Sequence, residues 1–266
     1  MQPMANIALR AARQAGQIIL RAMDRLDELR VEEKGRNDFV SNVDREAETA
    51  IVDALHKAFP DHGILGEEHG QSFESNEFTW IIDPLDGTTN FIQGIPHFCV
   101  SIALRKGRQL EHGVIFDPVR NEAFVASRGY GAQLNGKRIR VSQRSRLEEM
   151  VLGTGIPPGS IALHLDAYMG MLKHFTAHSR AIRRAGSAAL DLAYVAAGRT
   201  DGFWEMGLSP WDIAAGALIV REAGGFVGDL RGGDEFMKSG NIVAANPRCF
   251  KLMVQQLRPF LTPDLA

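Results

Sequence analysis

The sequence predicts an α+β fold. Three observations indicate it: a helical pattern near each end of the chain, a run of short strands between the two, and a length of 266 residues, which suffices for a full core. Apolar residues recur at helical spacing in the N-terminal segment, whereas the middle of the chain alternates short apolar runs with turn residues. Helices segregated from a run of antiparallel strands are typical of this class.

The composition excludes several kinds of protein. A net charge of −2 provides no global field for nucleic acid or a membrane, and the hydrophobic and charged fractions, 45% and 23%, are ordinary for a globular protein. Cys99 and Cys249 lie far apart, so a disulfide framework and a zinc site are not expected. No apolar run approaches the roughly 20 residues that span a bilayer, and residues 1–13 do not resemble a signal peptide. We therefore expect a cytoplasmic protein with no membrane partner.

Two amphipathic helices are predicted in the N-terminal segment. The first covers residues 4–24, and the second follows Ser41 and Asp44, which have the spacing of a capping box. The polar residues 33–38 between the helices predict a loop. An acidic residue in a first helical turn complements the helix dipole, and a functional role for Asp44 stays open beside that explanation. A short apolar run then ends at two glutamates, and residues 69–78 predict a second polar loop.

The most informative stretch is an apolar strand that ends in two carboxylates. It runs Trp80-Ile81-Ile82-Asp83-Pro84-Leu85-Asp86-Gly87-Thr88-Thr89-Asn90. Pro84 has no amide hydrogen, so the strand cannot continue regularly, and Asp83 and Asp86 can then face a common point. Two carboxylates and a backbone carbonyl, such as that of Leu85, suit Mg²⁺ or Mn²⁺ better than zinc.

The residues after these carboxylates suit an anion. Gly87 lets a ligand approach the backbone closely, and a helix beginning near Thr88 would offer free amides. A cation site beside an anion site indicates phosphate chemistry, although the same residue types also occur in plain turns.

The rest of the chain supplies three antiparallel strands, several helices and further acids. Strands are predicted at 98–104, 113–116 and 122–126, and a helix is predicted over residues 163–175. Small residues after Arg183 lead into a helix that ends at Gly198.

The C-terminal part continues this alternation. A strand ends at Glu205, and Ser209 and Pro210 then open a helix with Asp212 in its first turn. A last strand at 241–245 and a final helix follow. Residues 137–146 are strongly basic, but no aromatic residues alternate with the charges, so a solvated surface is preferred to an RNA-binding one.

Together these segments resemble the inositol monophosphatase family, most closely its bacterial SuhB-type branch. The matching motifs are Gly66-Glu67-Glu68, Asp83-Pro84-Leu85-Asp86-Gly87-Thr88-Thr89-Asn90 and Trp211-Asp212-Ile213-Ala214-Ala215-Gly216, with support from 183–189 and 204–207. The resemblance runs nearly end to end. It implies a layered α-β-α-β-α sandwich of the sugar-phosphatase type. It also implies one domain over residues 1–266, with lobes of about 1–146 and 147–266 and the active site between them.

The resemblance implies a role for each matching position. Two or three Mg²⁺ ions, which Mn²⁺ could replace, would be held by Glu67, Asp83, the Leu85 carbonyl, Asp86 and Asp212. The groups that orient and polarise the attacking water would be Glu67, Thr88 and Asp44. Substrate contacts would come from Asp86, Gly87, Thr88, Thr89, Arg183, Gly186, Ser187, Ala188, Glu205 and Asp212.

The implied reaction is hydrolysis of a small-molecule phosphate monoester, such as myo-inositol 1-phosphate, by a homodimer that Li⁺ inhibits. Histidinol phosphate, fructose bisphosphate and nucleotide 3′-phosphates are alternative substrates. A haloacid-dehalogenase-type phosphatase is a rival class, but its aspartates are spaced Asp-x-Asp, whereas this chain has Asp-x-x-Asp. A different kind of function is also implied, because the SuhB-type branch is associated with ribosomal RNA transcription antitermination through contacts with Nus factors, RNA polymerase and RNA. The two functions can coexist.

Overall fold

A computed structural model describes residues 1–35, 38–73 and 77–265 of the chain. Its α-helices are α1 Pro3–Met23, α2 Asn42–Ala58, α3 Thr88–Ile92, α4 Pro158–His178, α5 Ala188–Ala196, α6 Pro210–Glu222, α7 Phe236–Ser239 and α8 Pro247–Leu257. Its strands are β1 Val31–Gly35, β2 Asp38–Ser41, β3 Gly63–Gly66, β4 Gly70–Phe73, β5 Phe78–Asp86, β6 Cys99–Lys106, β7 Gln109–Asp117, β8 Glu122–Ser127, β9 Gly131–Leu134, β10 Lys137–Arg138, β11 Val151–Thr154, β12 Ala181–Arg183, β13 Gly202–Glu205, β14 Phe226–Gly228 and β15 Ile242–Ala245. Short 3-10 helices lie at Leu26–Glu28, Leu147–Glu149, Arg258–Phe260 and Pro263–Leu265.

These elements form the layered α-β-α-β-α sandwich that the family resemblance implies. Helices α1 and α2 cover one face of a large sheet with the strand order β10-β9-β8-β7-β6-β5-β3-β4. Helices α5 and α6 cover its other face and separate it from a smaller sheet of order β12-β11-β13-β15-β14. Helices α4 and α8 close the outer face of the smaller sheet. No helix in the described ranges combines the length and apolarity that crossing a bilayer requires.

One apolar cluster joins the two sheets through the helices between them. Ile115 of the large sheet, Leu192 of α5 and Phe203 of the smaller sheet are fully buried in one apolar cluster. Helix α6 lies so close to the large sheet that a Cβ atom on Gly113 would be 2.7 Å from the carbonyl oxygen of Ala215. A residue with a side chain therefore does not fit at position 113 without displacing α6.

Parallel pairing brings the ends of two pairs of strands together at one edge of each sheet. Strand β3 pairs in parallel with β5 in the large sheet, and β11 pairs in parallel with β13 in the smaller one. Residues that follow the carboxyl ends of neighbouring parallel strands lie side by side, which is a common location for a site. The acids that the sequence analysis singles out are at such ends: Glu67 directly follows β3, Asp86 ends β5 and Glu205 ends β13.

Two predicted loops are wrong, because both segments contain strands. Strands β1 and β2 form an antiparallel hairpin across residues 33–38, of which Arg36 and Asn37 lie outside the described residues. Strand β4 pairs antiparallel with β3 inside the predicted loop 69–78, of which residues 74–76 lie outside the described residues. Both segments are short and polar, so backbone pairing holds them without the apolar alternation that reveals a strand in sequence.

Candidate active site

The end of β5 carries the first two carboxylates. Asp83 pairs with Ser101 and Asp86 with Cys99, so three steps along β5 match two along β6 and the strand bulges at Pro84. The Asp83 Oδ1 atom accepts a hydrogen bond of 2.9 Å from the amide of Leu85, which tightens this turn. The bulge lets side chains three positions apart point the same way, as the missing amide of proline predicts.

A third carboxylate comes from the distant helix α6. Asp212 lies in its first turn, where the Asp212 Oδ2 atom accepts a 2.7 Å hydrogen bond from the Ser209 amide. One oxygen each from Asp83, Asp86 and Asp212 lies within 4.8 Å of the others. The chain therefore brings acids from positions more than a hundred residues apart to one point.

Asp86 is held by the beginning of α5. The Asp86 Oδ2 atom accepts hydrogen bonds of 2.6 Å from the Ser187 hydroxyl and 2.7 Å from the Ala189 amide. Ser187 is buried, and its hydroxyl points to Asp86. Since Oδ2 has these two partners, Oδ1 is the oxygen that remains for a ligand.

Burial and mutual repulsion raise the pKa values of these acids. Burial raises the pKa of Asp83 well above its usual range, and the charges of Glu67, Asp86 and Asp212 raise it further. Burial and the charge of Asp86 raise the pKa of Asp212 in the same way. The pKa of Asp86 is also raised by burial, against the opposing effect of the bonds from Ser187 and Ala189. A bound cation would relieve the repulsion among these carboxylates and stabilise their charged forms.

Gly87, Thr88 and Asp44 form a second group beside the aspartates. Gly87 has a positive φ of 101°, and a Cβ atom there would lie 3.0 Å from the carbonyl oxygen of His97, so the tight turn into α3 requires glycine. The Thr88 Oγ1 atom lies 2.9 Å from Asp44 Oδ1 and 3.0 Å from the Leu85 carbonyl oxygen.

The other oxygen of Asp44 caps its own helix. Asp44 Oδ2 accepts bonds of 2.9 Å from the Ser41 amide and 2.6 Å from the Ser41 hydroxyl. Burial raises the pKa of Asp44, and these bonds together with the one from Thr88 oppose the rise. Asp44 is therefore both the capping acid of α2 and a hydrogen-bond partner of Thr88.

Glu67 follows β3 at the mouth of a cavity. Its amide bonds to the Ile82 carbonyl oxygen of β5 at 3.1 Å, and its side chain lies among the residues that line the cavity. Its charge contributes to the raised pKa values of both Asp83 and Asp212. Glu67 is thus an electrostatic neighbour of Asp83 and Asp212.

The cavity has a volume of about 400 Å³ and lies between the two sheets' edges. Besides Glu67, it is lined by the predicted residues Asp86, Gly87, Thr88, Thr89, Gly186, Ser187, Ala188, Glu205 and Asp212. Glu205 is a buried member of this lining, and burial raises its pKa well above the usual range, with Asp191 and Asp212 adding to the rise. Asp83 and Leu85 are buried beneath this lining.

Arg183 is the predicted site residue that the structure places elsewhere. Its side chain is exposed and donates to the Ile182 carbonyl oxygen, and it is absent from the described residues that line the cavity. Arg184 lines the cavity instead. The strand β12 ends at Arg183, and the next residue leaves the strand toward α5, so a difference of one position separates the two arginines.

Sequence reasoning missed two other residues of this region. Gly155 follows β11, and a Cβ atom there would overlap the carboxylate of Glu205, so its lack of a side chain makes room for that acid. Asp191 is buried inside α5, where burial and then Asp86 raise its pKa well above the usual range. An acid within the apolar run Ala188-Ala189-Leu190-Asp191-Leu192-Ala193 was the available signal.

The donor set fits a small divalent cation. Its members are carboxylate oxygens, and the Leu85 carbonyl oxygen accepts a hydrogen bond from the Thr88 hydroxyl beside them. Hard oxygen donors of this kind suit Mg²⁺ and Mn²⁺. Asp83, Asp86 and Asp212 would hold such a cation. Zinc would call for nitrogen or sulfur donors, and the thiol of Cys99 lies behind Asp86 with a pKa raised well above its usual value by burial.

Comparison with known proteins identifies the class. The sequence model of the inositol monophosphatase family matches residues 1–260, and the chain belongs to that family. A curated relative from Pseudomonas aeruginosa, called Nus factor SuhB, is 56% identical over 269 aligned positions that cover 100% of this chain and 99% of the relative.

Solved structures agree. The extragenic suppressor protein SuhB of Bartonella henselae has a TM-score of 0.93 and 46% identity, covering 97% of this chain and 99% of its own. Staphylococcus aureus SaIMPase-II with inositol monophosphate bound has a TM-score of 0.81 and 26% identity, covering 97% of this chain and 95% of its own.

Proposed function

We propose that this chain hydrolyses phosphate monoesters of polyols and sugars, with myo-inositol 1-phosphate as the reference substrate and Mg²⁺ as the cofactor. The observation that carries the proposal is the convergence of Asp83, Asp86 and Asp212, whose oxygens lie within 4.8 Å, on a cavity that Thr88 and Glu205 also line. The family assignment supports the phosphatase class. Bound divalent cations would neutralise the phosphate and lower the pKa of a coordinated water.

Thr88 and Asp44 would prepare the attacking water. Because the Thr88 hydroxyl donates to Asp44 Oδ1 at 2.9 Å, its lone pairs are free to accept a hydrogen from a water in the cavity. Asp44, whose pKa burial raises, is then suited to hold the proton that Thr88 passes on. Glu67, which also lines the cavity, would orient the same water. Gly87 would bring the backbone amides of the turn close to the phosphate.

The part of the cavity lining around Glu205 would recognise the alcohol portion of the substrate. Glu205 is an acid buried among small residues, with Gly186 and Ala188 also in the lining. A buried acid needs hydrogen-bond partners, and the hydroxyls of a polyol can supply them. The Ser187 hydroxyl donates to Asp86, so we assign it the role of holding that carboxylate rather than a contact with the substrate.

Replacing Glu205 by leucine is expected to raise KM for inositol 1-phosphate about tenfold, the size of one to two lost hydrogen bonds. Leucine matches the bulk but cannot bond to hydroxyls. For p-nitrophenyl phosphate, whose alcohol has no further hydroxyl, KM should remain at the wild-type value. Gly155→Ala is the companion variant, because its methyl group would displace the Glu205 carboxylate and should reproduce the same selectivity. An equal rise in KM for both substrates would remove Glu205 from alcohol recognition.

The substrate itself is tested by a panel. Steady-state phosphate release is measured for inositol 1-phosphate, histidinol phosphate, fructose bisphosphate and nucleotide 3′-phosphates. A clear preference for one of the last three would change the proposed substrate and leave the reaction class in place. No release from any of them at saturating Mg²⁺ would overturn the enzymatic proposal.

A role in transcription antitermination is the second candidate. Its support is the name Nus factor SuhB that curated relatives carry. Lys137, Arg138 and Arg140 are exposed and available to an acidic partner, whereas Arg144 is engaged with Asp201 at 2.8 Å. We propose Nus factors, RNA polymerase or RNA as partners of this surface, and a homodimer as the assembly, which light scattering would measure.

Binding of such partners is expected to survive the loss of catalysis. Asp86→Asn changes a side chain inside the site and leaves the exposed basic surface intact. In a pulldown from the same lysate, wild type and Asp86→Asn should therefore retain equal amounts of Nus factors and polymerase. If neither protein retains these partners, the second role is contradicted. If only wild type retains them, the two roles depend on one another.

A further inference from the structure

Glu48 is a buried acid with no part in the chemistry proposed above. It lies in α2 with 0% of its surface exposed. Its carboxylate accepts hydrogen bonds of 2.9 Å from the Glu68 amide and 2.8 Å from the His69 amide, and it contacts the His69 ring at Nδ1, 2.6 Å away. A buried carboxylate is stable only when such donors surround it, so α2 and the turn after β3 are tied together.

That turn carries Glu67. The Glu67 amide bonds to the Ile82 carbonyl oxygen, and the next two amides bond to Glu48, so the backbone at Glu67 is fixed on both sides. Gly66, just before it, has no room for a side chain, because a Cβ atom there would lie 2.6 Å from the Glu48 carboxylate. The segment 66–69 therefore wraps closely around a buried charge.

We infer that Glu48 is a positioning residue, which aims Glu67 into the cavity by fixing the two amides that follow it. The inference rests on the proposed role of Glu67 as a cation ligand. A displacement of the turn would remove the hydrogen-bond donors from the buried Glu48 carboxylate. The turn therefore holds its position although the charge of Glu67 is repelled by the aspartates. Partners behind the ligands of a cation orient those ligands and raise their affinity.

A similar contact occurs in the described part of the chain at Glu222, a partly buried acid that is not among the residues lining the cavity. Glu222, at the end of α6, accepts hydrogen bonds of 2.8 Å from the Gly129 amide and 2.7 Å from the Gly131 amide. It thus joins a helix to a turn in the way Glu48 does. Glu222→Gln is the matched control, since it reproduces the local change far from the aspartates.

The test compares Mn²⁺ binding, followed by electron paramagnetic resonance, in wild type, Glu48→Gln and Glu222→Gln. Glutamine keeps the shape of glutamate but offers one oxygen and turns an NH₂ group toward an amide donor. We expect Glu48→Gln to bind Mn²⁺ about tenfold more weakly, and Glu222→Gln to bind it as wild type does. The Mg²⁺ concentration that half-activates Glu48→Gln should rise by the same factor, with KM for the phosphate ester unchanged.

The outcomes separate this inference from the proposed function. If wild type binds no Mn²⁺, the cation-dependent function fails and the inference fails with it. If wild type binds Mn²⁺ and a cooperatively melting Glu48→Gln binds it equally well, the inference alone is overturned. Should Glu48→Gln not melt cooperatively, Glu48→Asp takes its place: it keeps the charge but withdraws it from the amides, and Mn²⁺ affinity equal to wild type would overturn the inference there.

Discussion

Replacing Asp86 by asparagine is expected to reduce phosphate release by about 10²–10³-fold at saturating Mg²⁺, as removal of one charge-stabilising group in a site typically does. The reason lies in the bonds of Asp86. Its Oδ2 atom accepts from the Ser187 hydroxyl and the Ala189 amide, and an asparagine would satisfy these donors with its single oxygen. The NH₂ group would then face the cation position, where it cannot act as a ligand.

Asp229→Asn is the control for this variant. The Asp229 Oδ1 atom also accepts from two groups, the amides of Arg231 and Gly233, at 2.8 Å and 2.9 Å, but it is not among the residues that line the cavity. Its activity should equal that of wild type. Both variants should melt cooperatively, so that a loss of activity is not a loss of fold. If the activity of Asp86→Asn is within about tenfold of wild type, Asp86 is not a cation ligand, because a loss of that size is what a single lost hydrogen bond produces.

Mg²⁺ is expected to stabilise the chain strongly at pH 8 and only slightly at pH 5. At a Mg²⁺ concentration of about 100 times its Kd, binding adds about 2.7 kcal/mol to the free energy of unfolding. For a chain of this size that corresponds to a rise in Tm of about 5–10 °C. At pH 5 protons compete for the same carboxylates, so the rise should largely disappear.

The direction follows from the pKa values of Asp83 and Asp212. Both are raised well above the usual range in the folded chain, mainly by burial, whereas an unfolded aspartate titrates at about 3.9. Above that pH the folded chain binds more protons than the unfolded chain, so its stability without Mg²⁺ falls as the pH rises from about 4 through the raised pKa values. The fall is what Mg²⁺ reverses.

Thermal melts at pH 5, 6.5 and 8, each with Mg²⁺ and with EDTA, measure this difference. Histidines do not confuse it. Burial lowers the pKa of His62, His97 and His112, which costs stability below about pH 6.5, but we expect this cost to be the same with and without Mg²⁺ and to cancel in the difference. An equal Mg²⁺ shift at pH 5 and pH 8 would mean that the raised carboxylates are not where the cation binds.

The sequence predicts those parts of the site that depend on local chemistry. Pro84, which lacks an amide hydrogen, makes β5 bulge, and the Ser209-Pro210 start of α6 places Asp212 in a first turn, so both features can be recognised within a few residues. The fold class follows from helical and strand periodicity together with the family resemblance. Short polar strands such as β1 and β4 escape detection, because neighbouring strands hold them through backbone pairing.

Residues whose role depends on distant partners could not be predicted. Glu48 lies at an ordinary position of an amphipathic helix, and only the folded chain brings the Glu68 and His69 amides to it across about twenty positions. Arg183 and Arg184 are alike in sequence, and only the exact end of β12 decides which of them reaches the cavity.

The close contact between α6 and Gly113 has a consequence for the rigidity of the site. The Ala215 carbonyl leaves no space above that glycine, and the core on either side of α6 is shared by both sheets. A large apolar interface of this kind does not open and shut like the cleft of a hinged enzyme. We therefore expect the distances among the three carboxylates to change little when a ligand enters the cavity, which Phe39 and Pro157 also line.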